Sequence, residues 1–145
     1  MNIQYDQQKL AEVARKNNLK FVILHGSYAD GKNQEGSDLD IAVVGNSPMS
    51  FDDQLKLYDG ISDIFPDRID RDLDLKTLDK VDPFFRYEVV RKGVLLYGDP
   101  TAYEEYKLYV QRAYDDAKPL MELERQLIQK YQKHLNVIAE EYAQS

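Results

Sequence analysis

Apolar positions first recur at Leu10, Val13 and Ala14, the spacing of one helical face, and predict a helix over 6–17 that Asn17-Asn18 stops. Phe21-Val22-Ile23-Leu24-His25 is a compact apolar run that reads as a buried strand. Residues 26–37 are rich in Gly, Asn, Asp and Ser, so they read as a loop, or a loop with a short helix. Leu39 to Val44 is a second strand, followed by a turn over 45–50 in which Ser50 can cap the next helix. In that helix Phe51, Leu55, Tyr58, Ile61 and Phe65 recur at helical spacing, and Pro66 ends it. Ile69 to Leu75 alternates strictly and predicts a third strand with an acidic face. Asp82 then caps a helix whose first residue is Pro83, Gly93 closes it, and Val94 to Tyr97 is a short last strand before Gly98-Asp99-Pro100.

From Thr101 onward there is no glycine and a single proline, Pro119. The pattern predicts two long helices, 102–117 and 119–143, or one kinked helix. Leu120, Leu123, Leu127, Tyr131, Leu135, Ile138 and Tyr142 form one sustained apolar stripe. This length of helix exceeds what one small sheet needs, so the stripe packs on its own domain or on a partner helix or second copy. The expected fold is α+β, a small mixed sheet flanked by helices. Residues 1–99 would form the sheet domain, and 100–145 a helical C-terminal extension of it that could bind a partner.

Composition narrows the field. The chain has 145 residues, enough for one domain with a core of its own. It lacks cysteine, which removes disulfides, thiolate metal sites and cysteine nucleophiles, and fits a reducing compartment. No apolar run reaches the length of a membrane span and the first residues are polar, so neither a membrane helix nor a signal peptide is expected, and the expected location is cytoplasmic. The net charge of −7 repels phosphate backbones and argues against direct nucleic-acid binding.

The candidate chemistry lies in Gly26-Ser27, ten intervening residues, and Asp38-Leu39-Asp40. Alternation along the second strand turns Leu39, Ile41 and Val43 to the core and sets Asp38 and Asp40 on the other face, about 7 Å apart. Two unpaired carboxylates at that distance repel unless divalent cations lie between them, and hard oxygen ligands on a rigid strand suit Mg²⁺. Glycine after a buried strand lets a phosphate approach the backbone, and Ser27 offers a hydroxyl and an N–H to its oxygens. A phosphate cradle facing a metal-binding pair suits nucleotidyl transfer, in which cations bridge a triphosphate and neutralise the departing pyrophosphate. Asp70, Asp72 and Asp74 share one face of the third strand, and the residue pattern alone does not choose which supplies a third carboxylate.

His25 through Gly31, continued by Ser37 through Val43, resembles the GS-x10-DxD signature of polymerase-β-type nucleotidyltransferases. The likeness extends over residues 8–99, and the size and element order resemble the minimal nucleotidyltransferases (MNT) of that superfamily, many of them antitoxins paired with HEPN toxins. The resemblance implies Mg²⁺-dependent transfer of AMP from ATP, with two ions held by Asp38, Asp40 and a third carboxylate, and nucleotide binding by Gly26 and Ser27. In the antitoxin branch it implies a tyrosine of the HEPN toxin as acceptor, and a hetero-oligomer with that toxin. Alignment with the family's "DL", Pro-led helix, Arg, Gly and apolar strand favours Asp74 as the third carboxylate, with Asp72 second and Asp70 third. The chain departs from the family in carrying Asp30 where members commonly have Arg, which implies a different nucleotide affinity or choice. Two other readings stand beside this one: a module that silences a toxin by occlusion alone, and transfer to a small molecule such as an aminoglycoside. Length and acidity argue against a template-copying polymerase. His25 reads as a satisfied structural histidine, His134 as a surface residue, and most of the tyrosines as helix-packing residues.

Overall fold

The computed structural model describes residues 3–34, 36–65 and 71–144. Helix α1 (Gln7–Lys16) starts where the Asp6 carboxylate accepts the amides of Gln8 and Lys9. It stops at Asn17, and Asn18 takes a left-handed φ of 53°. Strand β1 (Leu19–His25) follows, then the four-residue helix α2 (Ser27–Asp30), strand β2 (Leu39–Gly45) and helix α3 (Phe51–Ile64). Ser50 and Asp53 close a reciprocal capping box on α3. Strand β3 (Leu73–Thr77), a 3₁₀ turn (Leu78–Lys80), helix α4 (Pro83–Lys92), strand β4 (Val94–Tyr97) and helix α5 (Pro100–Gln144) complete the order. Asp82 caps α4 through the amides of Phe84 and Phe85.

The sheet order is β3-β2-β1-β4. β1 runs antiparallel to β2 and β4, and β2 parallel to β3, so the sheet is mixed as expected. Helices cover both faces. Val22, Leu24, Leu39, Ile41 and Val43 pack with Leu10, Ala14, Leu57, Ile61 and Phe65, the α1–α3 side. Phe21, Ile23 and Ala42 pack with Val89, Val90, Tyr103 and Val110, the α4–α5 side. Burial on both faces explains the unbroken apolar run of β1.

Two expectations need correction. The third strand begins at Leu73 and runs to Thr77, two residues beyond the expected end, because it starts level with β2 and pairs Leu39 with Leu73 through Val43 with Thr77. Ile69, Asp70 and Pro66 lie outside the described residues. On α3 the apolar stripe is only half used: Ile61 and Phe65 are buried with Leu57, whereas Phe51 and Leu55 are 72% and 51% exposed. Of the two forms expected for the C-terminal segment, the single helix is the one found, 45 residues long with Pro119 inside it. Proline removes one intrahelical hydrogen bond, and here its surroundings are exposed, so water can satisfy the freed carbonyl.

Only the first part of α5 is rooted in the domain. Tyr103 and Val110 are its buried residues, with the Tyr103 hydroxyl donating to the Val90 carbonyl at 3.3 Å. Beyond Lys118 the stripe of Leu120, Leu123, Leu127, Tyr131 and Leu135 is exposed, from 40% to 69%. His134 is on the surface, as expected.

Candidate active site

On the α4–α5 side, one end of the sheet carries a row of polar side chains across three strands. His25 on β1 is in register with Asp40 on β2, and Asp40 with Asp74 on β3. Directly paired residues share a face, so the imidazole and both carboxylates look the same way. The Asp74 carboxylate faces Asp40 closely enough to raise its pKa.

Burial, the Asp74 charge and the Asp38 charge together push the Asp40 carboxyl up to about 6. Asp38 is exposed just before β2, and its charge acts on Asp40. Among the described residues no three metal-ligating side chains converge. The convergent unit is therefore the Asp40–Asp74 pair, with Asp38 at its edge. Two carboxylates facing each other across neighbouring strands repel, and they are a donor set that a hard divalent cation would satisfy. Of the three third-strand aspartates, Asp74 faces Asp40. Asp72 is exposed, its carbonyl accepting the Leu39 amide at 2.8 Å, and Asp70 lies outside the described residues.

Gly26 lies against this pair. Its backbone has φ +72° and ψ −156°, a region essentially reserved for glycine. A Cβ at Gly26 would collide with Oδ2 of Asp40 and lie 3.1 Å from its Cγ. Bare backbone thus passes directly over the carboxylate, where a side chain would seal it off. Ser27 opens α2, which is tied down by the Ala29 and Asp30 amides donating to the Gly26 carbonyl at 3.1 and 3.2 Å. The Arg71 guanidinium lies 5.6 Å from the Tyr28 ring centroid and links α2 to the approach to β3.

Two residues of this face carry more than their patterns disclosed. His25 is buried, but its Nε2 finds no partner among the described residues, so it is not the satisfied histidine expected. Burial first, then the Lys76 charge, lowers its pKa to about 4 against an opposing effect of Asp74, which leaves the imidazole neutral at pH 7. Lys76, two residues beyond Asp74 and opposite Ala42, places its ammonium 3.4 Å from Oδ2 of Asp74. The alternation that put Asp74 on this face also put Lys76 there, so the signal was present in the sequence. A cleft of about 720 Å³ lined by Val13, Asn18, Met49, Asp53 and Gly60 lies at the far end of the sheet, away from the carboxylates.

The family described as "Polymerase beta, Nucleotidyltransferase" has a model that matches residues 8–102. The chain belongs to this nucleotidyltransferase family. Among solved structures, a toxin–antitoxin with AMP-PNP is similar to it at 26% identity and a TM-score of 0.66, over 85% of this chain and 94% of that one. A mutant MntA-HpeT toxin–antitoxin is similar at 26% identity and a TM-score of 0.65, over 86% and 95%. A tri-AMPylated Shewanella oneidensis HEPN toxin in complex with MNT antitoxin shares the fold at 24% identity and a TM-score of 0.60, over 84% and 91%. No curated protein gives a significant match. The nucleotidyltransferase therefore has the polymerase-β-type fold with a long C-terminal helix, and its structural matches include MNT antitoxins in complex with HEPN toxins. No helix among its described residues is long and apolar enough to cross a membrane.

Proposed function

We propose that this nucleotidyltransferase moves AMP from ATP to a tyrosine hydroxyl of a HEPN toxin and so acts as the antitoxin. The observation that carries the reading is the Asp40–Asp74 pair, level across two parallel strands, with the side-chain-free backbone of Gly26 over it. The similarity to a toxin–antitoxin with AMP-PNP, and to the antitoxin of a tri-AMPylated HEPN toxin, supports the choice of nucleotide and acceptor.

The triphosphate lies along Gly26 and Ser27, whose backbone approach and hydroxyl hold its oxygens. Asp38, Asp40 and Asp74 would hold Mg²⁺, which when bound neutralises the carboxylates, polarises the α-phosphorus and lowers the pKa of the acceptor. Asp74 takes the proton of the acceptor hydroxyl, whose oxygen forms a bond to the α-phosphorus. The bond from that phosphorus to the bridging oxygen breaks, and pyrophosphate leaves with the electron pair. The carboxylates contribute by fixing the place of that cation in advance, so that no reorganisation is needed as charge develops on the departing pyrophosphate.

Residues 100–145 are proposed to reach the toxin, through the exposed stripe beyond Lys118. That stripe also favours a second reading, in which docking alone silences the toxin. Co-expression with the toxin separates the two. Transfer predicts that wild type restores growth, that Asp74→Asn does not, and that a chain ending at Lys118 folds, since it keeps Tyr103 and Val110, but protects poorly. Full protection by Asp74→Asn would replace transfer with occlusion.

A further inference from the structure

We propose that Lys76 is a resident counter-ion of the carboxylate pair, occupying on Asp74 the position that an incoming divalent cation must take over. This deepens the nucleotidyl-transfer reading and rests on it. Lys76 follows Asp74 by two residues on the edge strand β3, so both side chains stand on the α4–α5 side of the sheet. Its ammonium is held from two directions: Oδ2 of Asp74 lies at 3.4 Å, and the ring centroid of Phe85 on α4 at 4.7 Å. The position opposite on β2 is Ala42, fully buried and with no polar group to offer. Lys76 is therefore the cation that the row His25–Asp40–Asp74 meets on its inner side.

The chemistry of displacement follows from charge. An ammonium and a divalent cation both seek Oδ2 of Asp74, and they repel each other if both approach it. The divalent ion carries twice the charge and accepts several oxygens at once, so it wins only by evicting the ammonium. The Phe85 ring, already 4.7 Å from the ammonium, continues to hold the evicted group. Lys76 thus lowers the affinity of the empty pair for metal, and makes loading easier when phosphate oxygens arrive with the ion.

The test is Mn²⁺ binding to the metal-free full-length protein without nucleotide, by titration calorimetry, on wild type, Lys76→Met, Lys76→Arg and Lys56→Met. Lys76→Met should bind Mn²⁺ about 3- to 10-fold more tightly than wild type, the effect of removing one partly exposed like charge. Lys76→Arg should bind like wild type, because it keeps the charge. Lys56→Met, on α3 across the sheet, should also bind like wild type. Unchanged or weaker binding by Lys76→Met overturns the counter-ion role and leaves the carboxylate site standing. Equal tightening in Lys56→Met also overturns it, by reducing the effect to net charge. Absence of Mn²⁺ binding in wild type and Lys76→Met alike removes the metal-site reading and this proposal together.

Discussion

Asp40→Asn should lower AMP transfer by about a thousand-fold or more, since it removes the charge that holds the cation and its share of transition-state stabilisation. The same substitution should make the metal-free protein more stable above pH 6. The sign follows from the raised pKa. The Asp40 carboxyl titrates at about 6 in the folded chain against an ordinary value of 3.8, so the folded state holds this proton more tightly. Its contribution to stability is complete below the ordinary value and is lost as pH rises through about 6. Asparagine carries no charge to bury, so the variant's advantage should appear above pH 6 and fade as pH falls toward 4. His25 acts in the opposite sense. Its folded value of about 4 lies below the ordinary 6.5, so its contribution is lost as pH falls through that window. It is present in both proteins and largely cancels in the difference. Urea unfolding of both at pH 4.5 and 7.5 measures the effect. Saturating Mg²⁺ should then raise the stability of wild type and leave Asp40→Asn unmoved. A difference between the proteins that ignores pH would contradict the raised Asp40 pKa.

The second large effect is expected at Gly26. Gly26→Ala forces a side chain into a backbone region that costs about 1–3 kcal/mol for residues other than glycine. It also drives a Cβ into the Asp40 carboxylate. Activity should fall by about a hundred-fold even at temperatures where the variant stays folded, because the carboxylate must turn away from Asp74. Gly31→Ala provides the matched comparison. Gly31 also has a positive φ, of 71°, but a Cβ there meets nothing within 4 Å. It should lose some stability and keep most of its transfer activity. Equal losses in the two variants would show that backbone strain, not the contact with Asp40, matters at Gly26. Steady-state transfer rates with thermal unfolding of each variant measure this.

The parts of the fold that were legible in the sequence are those set by local chemistry. Asp6, Ser50 and Asp82 announced their helices because a capping side chain bonds amides two or three residues away. The alternation of Leu39, Ile41 and Val43 against Asp40 and Ala42 separated the two faces of β2, and with them the side of the sheet on which the carboxylates stand. What depended on distant partners was less legible. The span of β3 follows from its register with β2, which its own alternation cannot encode. The inward face of α3 was ambiguous because Ile61 and Phe65 belong to two overlapping stripes, and the packing against the sheet and α1 chose the one with Leu57. The Asp40–Asp74 pair was legible as two candidates on neighbouring strands. That Asp74 rather than Asp72 faces Asp40 needed the register.

In the proposed function, the Asp40–Asp74 pair and the open backbone at Gly26 form the site that transfers AMP to the partner toxin. The most direct measurement incubates the purified protein, the toxin and Mg²⁺ with ATP labelled in parallel at the α- or the γ-phosphate. The account predicts that α-label becomes bound to toxin tyrosine, that γ-label leaves entirely as pyrophosphate, and that Asp40→Asn abolishes both. Toxin left unlabelled by the wild-type protein, or label arriving from the γ-position, would contradict it.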